Sequence, residues 1–123
     1  MNNVKKRRNT RIRKKAHIRK RISGDKSRPR ITVYRSNNHI YVQAVDDIDG
    51  VTLVSASTRD EEVVKQIEGS TGNKAAAGIT GKIFGQRLAD GGYKTVVFDR
   101  NGFLFHGRIK SLADGIRKVG IKF

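Results

Sequence analysis

Apolar and polar residues alternate along the second quarter of the chain, which predicts β-strands. In the stretches 31–35 and 39–45 apolar residues recur at every second position, and the stretch 51–57 is rich in β-branched residues. The Asn pair at 37–38 tolerates the positive φ of a tight turn, and Asp and Gly in segment 46–50 predict a second turn. The pattern therefore predicts a three-stranded antiparallel meander.

Helical signals follow the meander. Thr58 and Glu61 are spaced as in a capping box, which predicts a short helix through residues 63–67. The segment 74–90 predicts a longer helix that ends at the glycine pair 91–92. Its apolar face is expected to carry Ala76, Ile79 and Ile83. Glycines inside a helix destabilise it unless it lies close to another backbone, so we interpret three of them as packing residues: Gly78, Gly81 and Gly85.

The last third of the chain predicts one more strand and one more helix. Residues 94–98 form a continuous apolar run, typical of a strand buried on both faces, and the preceding helix serves as the crossover to a parallel neighbour. A stripe at helical spacing, closed by Gly120, predicts the last helix and consists of Ile109, Leu112, Ala113, Ile116 and Val119. The elements together predict an α/β fold in which helices pack on a mixed sheet.

Basic residues are concentrated near the N-terminus of this 123-residue chain. Residues 1–30 contain 14 Lys or Arg and one acid, and so hold +13 of the formal net charge of +16. The chain thus divides into a basic arm, residues 1–30, and a globular α/β core, residues 31–123. The arm has few apolar residues to bury, so we expect it to be disordered when free and helical over residues 5–22 on RNA.

The clustered charge indicates a polyanionic partner, with nucleic acid as the first hypothesis. A solvated tail, a nuclear-import signal and an organellar presequence are the alternative interpretations of the same segment. Presequences are normally rich in Ser and amphipathic, and this arm is neither.

The sequence lacks the patterns of catalysis, metal binding and membrane insertion. It has no Cys, and its three His residues lack metal-ligand spacing. Segment 46–50 does not continue as a calcium loop, and Gly81 and Lys82 lack the rest of a phosphate-binding loop. Asp99 stands alone, and a lone Asp is more often a cap or the partner of an Arg than a catalytic group. We expect no enzymatic activity, cofactor, metal, membrane or small-molecule substrate.

Four segments in order along the chain resemble one protein family. They are the basic arm leading into SRPRITVYRSNNHIYVQAVDD, then GVTLVSAST, GNKAAAGITGKIFGQRL and VVFDRNGFLFHGRIKSLADGIRKVGIKF. Together they are similar to the bacterial form of the family of large-subunit ribosomal protein eighteen. The resemblance implies a three-layer core related to the ribonuclease-H-like fold. It also implies a structural role in the central protuberance of the ribosome, in the bacterial cytoplasm. There, such a protein binds 5S rRNA, helps attach it to 23S rRNA and contacts neighbouring large-subunit ribosomal proteins.

The same resemblance places RNA-binding residues on the arm and around the first hairpin. Arg and Lys supply phosphate contacts, Asn and Ser bond sugar hydroxyls, and rings stack on unpaired bases. The arm contributes Lys5, Lys6, Arg7, Arg8, Arg11, Arg13, Lys14, Lys15, His17, Arg19, Lys20 and Arg21. The hairpin and the residues before it contribute Arg28, Arg30, Tyr34, Arg35, Ser36, Asn37, Asn38, His39, Tyr41 and Gln43. Weaker candidates are Asn73, Lys74, Arg100, His106 and Arg108.

Two other functions fit parts of this pattern. A general nucleic-acid-binding protein would bind DNA and unrelated RNA as well as 5S rRNA. A metal-dependent nuclease of the same fold would need several clustered carboxylates to hold two cations, and the first predicted strand has none. For Tyr34 and Tyr41, the alternative to base stacking is that each ring merely covers the sheet.

Overall fold

The computed structural model describes residues 23–99 and 107–123. In this part of the chain, strands and helices follow in the order β1, β2, β3, α1, α2, β4, α3. The strands are β1 (Arg30–Arg35), β2 (Ile40–Asp46), β3 (Val51–Ser57) and β4 (Val97–Asp99). The helices are α1 (Glu61–Val64), α2 (Lys74–Asp90) and α3 (Arg108–Lys118). The helix predicted over residues 5–22 lies outside the described residues.

The four strands form one mixed sheet in the order β3-β2-β1-β4. β1 pairs antiparallel with β2, so that Ile31 lies opposite Ala44 and Tyr34 opposite Tyr41, and β2 pairs antiparallel with β3. β4 lies parallel to β1, and the connection from β3 through α1 and α2 crosses from one edge of the sheet to the other. The predicted meander, parallel strand and crossover are confirmed.

One face of the sheet carries the hydrophobic core. Ile31, Val33, Ile40, Val42 and Ala44 point to this face and are at most 2% exposed. They pack against buried residues of the two long helices, namely Ala77, Phe84, Leu88, Ile109, Leu112 and Ile116. Because α2 and α3 cover the same face, residues 23–99 and 107–123 form two layers, and the three-layer arrangement is not met within them.

Helices α2 and α3 approach each other backbone to backbone. A Cβ atom at Gly81 would collide with a carbonyl oxygen of α3, and one at Gly85 would lie 3.0 Å from the Val119 side chain. A Cβ atom at Gly115 of α3 would collide with the carbonyl oxygen of Gly78. Glycine is therefore required at these three positions. The predicted packing role is confirmed for Gly81 and Gly85, whereas Gly78 contributes only its carbonyl oxygen to the contact.

The capping box predicted at Thr58 and Glu61 is wrong. Helix α1 begins after Asp60, whose side chain makes no capping hydrogen bond. The Thr58 side-chain oxygen instead accepts a hydrogen bond from the backbone N–H of Ile40 at 3.1 Å and lies 3.0 Å from Nδ1 of His39. Because the hydroxyl is buried at the edge of the sheet, it serves as the hydrogen-bond acceptor for the first residue of β2 and not as a cap for the helix.

Two further details differ from the prediction. The parallel strand begins at Val97 rather than Lys94, because Thr95 forms an isolated bridge with Lys122 before the strand starts. Its first two residues are half-buried, so the strand is not enclosed on both faces. In α2, Ala76 and Ile83 are buried as predicted, whereas Ile79 is only half-buried. Ala77, Phe84 and Leu88 of the same helix also face the core.

Candidate nucleic-acid interface

The turn between β1 and β2 presents polar side chains at one end of the sheet. The backbone N–H of Ser36 donates to the carbonyl oxygen of His39 at 2.9 Å and closes the turn. Asn37 and Asn38 lie exposed between them. This is the hairpin that the alternating pattern and the Asn pair predict.

Two side chains from distant parts of the sequence hold the backbone of this turn. Nη1 of Arg108, at the start of α3, donates to the carbonyl oxygens of Ser36 at 2.8 Å and Asn37 at 3.3 Å. The Thr71 hydroxyl, which precedes α2, donates to the carbonyl oxygen of Asn38 at 2.6 Å. Arg108, a weaker candidate for RNA contact, therefore has a positioning role that the sequence did not reveal.

Cationic side chains from three elements meet beside the turn. Burial lowers the pKa of the Arg108 guanidinium, and the positive charge of Arg35, the residue before Ser36, lowers it further. The Lys74 side chain, at the start of α2, lies near Gly107, since a Cβ atom at that glycine would be 3.9 Å from Cε of Lys74. Asn73 caps α2, because its side-chain oxygen accepts a first-turn backbone N–H at 2.8 Å. We call residues 35–39 together with Lys74 and Arg108 the hairpin end.

A row of three rings adjoins the hairpin end. Tyr34 and Tyr41 face each other across β1 and β2 with ring centroids 6.0 Å apart, and His39 lies 6.4 Å from Tyr41. The Tyr34 residue is 51% exposed. Exposed rings beside cationic groups form the kind of surface on which unpaired bases stack.

The rings belong to a polar sheet face that no element of the described part covers. Thr32, Gln43 and Ser55 line a shallow depression of about 560 Å³ on this face, and Thr52 donates to the Gln43 side-chain oxygen at 3.0 Å. We call it the open face. Its hydroxyl groups were not among the residues predicted from the sequence to bind RNA. The alternation that located Tyr34 places Thr32 on the same face, so a signal for that residue was available.

Arg30 lies at the opposite end of β1 and is engaged inside the protein. Its Nε and Nη2 donate to the two carboxylate oxygens of Asp47 at 2.9 Å each, and its Nη1 donates to Asp99 at 2.8 Å. Hydrogen bonding to Asp47 raises the pKa of Arg30. The Arg30 side chain is 10% exposed and that of Asp99 is fully buried. This burial argues against the RNA contact predicted for Arg30, whereas the expected role of Asp99 as an Arg partner is confirmed.

The structure does not bring all predicted residues together. Arg28 is exposed in a turn closed by Asp25, whose Oδ1 accepts the backbone N–H groups of Ser27 and Arg28 at 2.9 Å each. This turn precedes β1, whereas the hairpin end follows it. The predicted contacts at Arg100, at His106 and in segment 5–21 lie outside the described residues.

Neither a cluster of metal ligands nor a membrane-spanning helix is found in residues 23–99 and 107–123. This part contains no group of three His, Asp or Glu side chains placed to hold a metal ion. It also contains no helix long and apolar enough to cross a membrane.

A mixed sheet with a row of rings on its open face, a cationic hairpin end and a net charge of +16 are the features of a small, basic RNA-binding protein of the α/β class. The chain belongs to the family of ribosomal protein L18 of archaea, bacteria, mitochondria and chloroplasts, whose family model matches residues 5–123.

Individual relatives in three bacteria agree with this assignment. The large ribosomal subunit protein uL18 of Alkaliphilus metalliredigens is 52% identical over 106 residues, which cover 86% of each chain. The uL18 protein of Shouchella clausii is 51% identical over 108 residues, 88% of each chain. The uL18 protein of Kosmotoga olearia is 50% identical over 122 residues, which cover 98% of this chain and 99% of the relative.

Proposed function

We propose that this protein is a structural constituent of the large ribosomal subunit that binds 5S rRNA and helps attach it to 23S rRNA. Family membership supports the ribosomal role. The observation that carries RNA binding is the hairpin end, where Arg35, Lys74 and Arg108 come from three separate elements to one exposed turn. Neighbouring ribosomal proteins are further partners in this proposal, and its place is the ribosome in the bacterial cytoplasm.

Affinity and specificity are divided between two parts of the chain in this proposal. Residues 1–22 carry 11 Lys or Arg and no acid, so they supply phosphate contacts that do not depend on base sequence. The hairpin end and the ring row supply side chains that recognise the shape of the RNA and its unpaired bases. The Asn37 and Asn38 side chains belong to this second group, because the hydrogen bonds that these residues make within residues 23–99 and 107–123 involve their backbone carbonyls.

Binding measured across a salt series tests the division. The full chain and a version lacking residues 1–22 are titrated with 5S rRNA and with a tRNA of similar size. Removing a cation that neutralises one RNA phosphate flattens the slope of log affinity against log salt by about 0.7–0.9. We expect the truncation to weaken binding and flatten the slope while a preference for 5S rRNA survives. Equal binding of both RNAs by the full chain would mean a general nucleic-acid-binding protein instead.

Replacing Tyr34 tests the stacking role of the ring row. Stacking on one aromatic ring contributes about 1–3 kcal/mol per base, so Tyr34→Ala is expected to weaken 5S rRNA binding by roughly 5- to 150-fold. Tyr34→Phe keeps the ring and is expected to bind nearly as well as the natural chain. Val64→Ala, which trims an exposed apolar side chain on α1, serves as the control. Equal affinities for Tyr34→Ala and the control would assign Tyr34 to covering the sheet.

We further propose that the protein has no catalytic activity. The Asp99 carboxylate accepts a hydrogen bond from Arg30 inside the core, which leaves it poorly placed to hold a catalytic cation. The test is incubation of pure protein with RNA and magnesium. RNA cleavage that Asp99→Asn abolishes would support the nuclease alternative.

A further inference from the structure

The imidazole of His39 lies against a fully buried hydroxyl group. Its Nδ1 is 3.0 Å from Oγ1 of Thr58. The ring of Tyr41 lies beside it, with the two ring centroids 6.4 Å apart and the ring planes tilted by 54°. Thr58 is fully buried, whereas His39 is half-buried at the hairpin end. One edge of the imidazole therefore faces the interior of the protein.

The sheet fixes the position of the Thr58 hydroxyl. The backbone N–H of Thr58 donates to the carbonyl oxygen of Ile40 at 3.1 Å, and the backbone N–H of Ile40 donates to Oγ1 of Thr58 at 3.1 Å. Ile40 is the first residue of β2, and Thr58 directly follows the last residue of β3. The hydroxyl is thus held by the backbone of two paired strands.

The hydrogen bonds of this hydroxyl determine which nitrogen of His39 bears a hydrogen. A hydroxyl has one hydrogen to donate, and Oγ1 of Thr58 already accepts the hydrogen of the Ile40 N–H. Within residues 23–99 and 107–123, Nδ1 of His39 is the other group in hydrogen-bond contact with Oγ1. If Nδ1 bore a hydrogen, the buried hydroxyl would lack an acceptor for its own, which is unfavourable. In the neutral ring, Nδ1 is therefore the acceptor and Nε2 bears the hydrogen.

Nε2 is the ring nitrogen that remains for a ligand. It makes no hydrogen bond within residues 23–99 and 107–123, and it lies on the side of the ring away from Thr58. The N–H of a neutral imidazole donates to one acceptor and has no charge with which to neutralise a phosphate. His39 thus differs from the cations Arg35 and Lys74 of the hairpin end, which attract phosphates of any sequence.

We infer that Thr58 is a positioning residue for RNA recognition, which holds His39 as an Nε2–H donor to the edge of an unpaired 5S rRNA base. The inference rests on the proposed function and extends it to a buried residue that does not touch the RNA. A base that stacks on the ring row brings its edge close to His39, because the rings of His39 and Tyr41 are neighbours. A donor fixed in direction discriminates between bases, which present their acceptors at different places.

Nuclear magnetic resonance of the free full-length protein tests the position of the hydrogen. Long-range ¹H–¹⁵N spectra in mildly alkaline buffer distinguish a ring nitrogen that bears hydrogen from one that does not. The signals of His39 are those absent from His39→Ala. We expect the hydrogen on Nε2 in the natural chain and in Thr58→Ser, and a mixture of both forms in Thr58→Val. Hydrogen on Nδ1 in the natural chain would overturn the inference, even where Thr58→Val does not fold.

Affinity for 5S rRNA tests whether the buried hydroxyl acts on the interface. Thr58→Val is expected to bind roughly 2- to 12-fold more weakly, which corresponds to the loss of one neutral hydrogen bond. Thr58→Ser retains the hydroxyl and is expected to restore the affinity of the natural chain. The matched control is Thr80→Val, which removes another fully buried hydroxyl, one that donates to the Ala76 carbonyl oxygen within α2. Circular dichroism and thermal melting of each variant confirm folding.

A double-mutant cycle separates the positioning role from a purely structural one. In a chain that already carries His39→Ala, the addition of Thr58→Val is expected to cause no further loss, because the group that Thr58 positions is absent. A further loss of the same size would overturn the inference, and so would unchanged binding by Thr58→Val or an equal loss in Thr80→Val. Equal losses for 5S rRNA and a tRNA of similar size would also overturn it, because a base contact affects the preference between them.

Failure of the natural chain to bind 5S rRNA would contradict the proposed function, and the RNA contact of His39 with it. The NMR spectra would still report the position of the hydrogen, since they are recorded without RNA.

Discussion

Arg30 joins three separate parts of the chain through one side chain. Its guanidinium binds Asp47 in the turn after β2 and Asp99 at the end of β4, while it stands itself at the start of β1. The backbone N–H of Gly24 donates to the same Asp47 carboxylate at 2.8 Å, so the segment that precedes β1 is tied to this network as well. A charge this deeply buried is stable only while all of its partners remain.

Replacing Arg30 is expected to destabilise the core strongly. Arg30→Met leaves the fully buried Asp99 carboxylate without its charged partner, and breaking a buried pair in this way lowers the free energy of unfolding by about 3–5 kcal/mol. Urea denaturation followed by circular dichroism measures the change. The control is Arg28→Met, an exposed residue in the preceding turn, which is expected to alter stability by less than about 0.5 kcal/mol. Equal stabilities of the two variants would contradict the role assigned to Arg30.

The pH dependence of this difference follows from the pKa shift of Arg30. Its pKa is raised above its ordinary, strongly basic value, so its contribution to stability is complete below that ordinary value and is lost only as the pH rises through the raised one. We therefore expect the difference between the natural chain and Arg30→Met to stay level from about pH 7 to 9.

At the scale of the element, the contact between α2 and α3 gives two glycines of α2 different roles. A Cβ atom at Gly81 collides with the Leu112 carbonyl oxygen, whereas at Gly78 the nearest atom, the carbonyl oxygen of Ser111, is 3.8 Å away. Alanine favours a helix over glycine by about 1 kcal/mol at either position. Only at Gly81 does the collision oppose that gain.

The two alanine variants are therefore expected to change stability in opposite directions. Gly78→Ala should raise the free energy of unfolding by up to about 1 kcal/mol. Gly81→Ala should lower it, because forcing extra volume into a packed contact costs about 1–3 kcal/mol. Thermal denaturation of both variants and the natural chain makes the comparison. A higher free energy of unfolding for Gly81→Ala would show that the two helices can move apart without loss of stability and that their close approach is not required.

The sequence predicted the strands and helices better than it predicted which groups their side chains hydrogen-bond. Local alternation located β1 and β2, and the apolar stripe located α3, because burial of one face imposes those periods directly. The capping prediction at Thr58 is wrong because the backbone N–H of Ile40, 18 residues away, donates to the hydroxyl oxygen that would have capped the helix. Local spacing carries no information about such a competitor.

The candidate interface shows the same limit. The hairpin could be located from the sequence, since the turn and the strands around it are local features, and the resemblance to a known family marked its residues as RNA-binding candidates. The hydrogen bonds from Arg108 to this turn could not be predicted, because that residue lies 72 positions from Ser36 and only the fold brings the two together. The burial of Arg30 was hidden for the same reason, since its partner Asp99 lies 69 positions away.

For the whole molecule, the distribution of charge has a consequence for stability in the proposed function. Residues 31–123 carry only +3, so the core folds without strong self-repulsion, while the proposed RNA partner would supply the counter-charge of the basic arm. A partner that binds only the folded protein stabilises it by mass action.

We therefore expect 5S rRNA to slow amide hydrogen exchange in the core. At a free RNA concentration about 100 times the dissociation constant, the gain in stability is about 2.7 kcal/mol. Exchange of the buried strand residues Ile31 and Val33, measured by NMR, reports this gain away from the RNA surface. A tRNA at the same concentration is the control and is expected to protect these amides less. Equal protection by both RNAs would remove the preference for 5S rRNA.

The position of Gly24 has a consequence for how the protein is oriented. The chain enters the core at this residue, where its backbone exchanges hydrogen bonds with Asp47, at the end of β1 opposite the hairpin end. The arm and the hairpin therefore attach to the two ends of one strand, about 17–20 Å apart. One point of contact allows a domain to rotate on its partner, whereas two contacts at the ends of a rigid strand fix its orientation. In the proposed function the arm and the hairpin end both bind RNA, so the direction of β1 would set the orientation of the domain on that RNA.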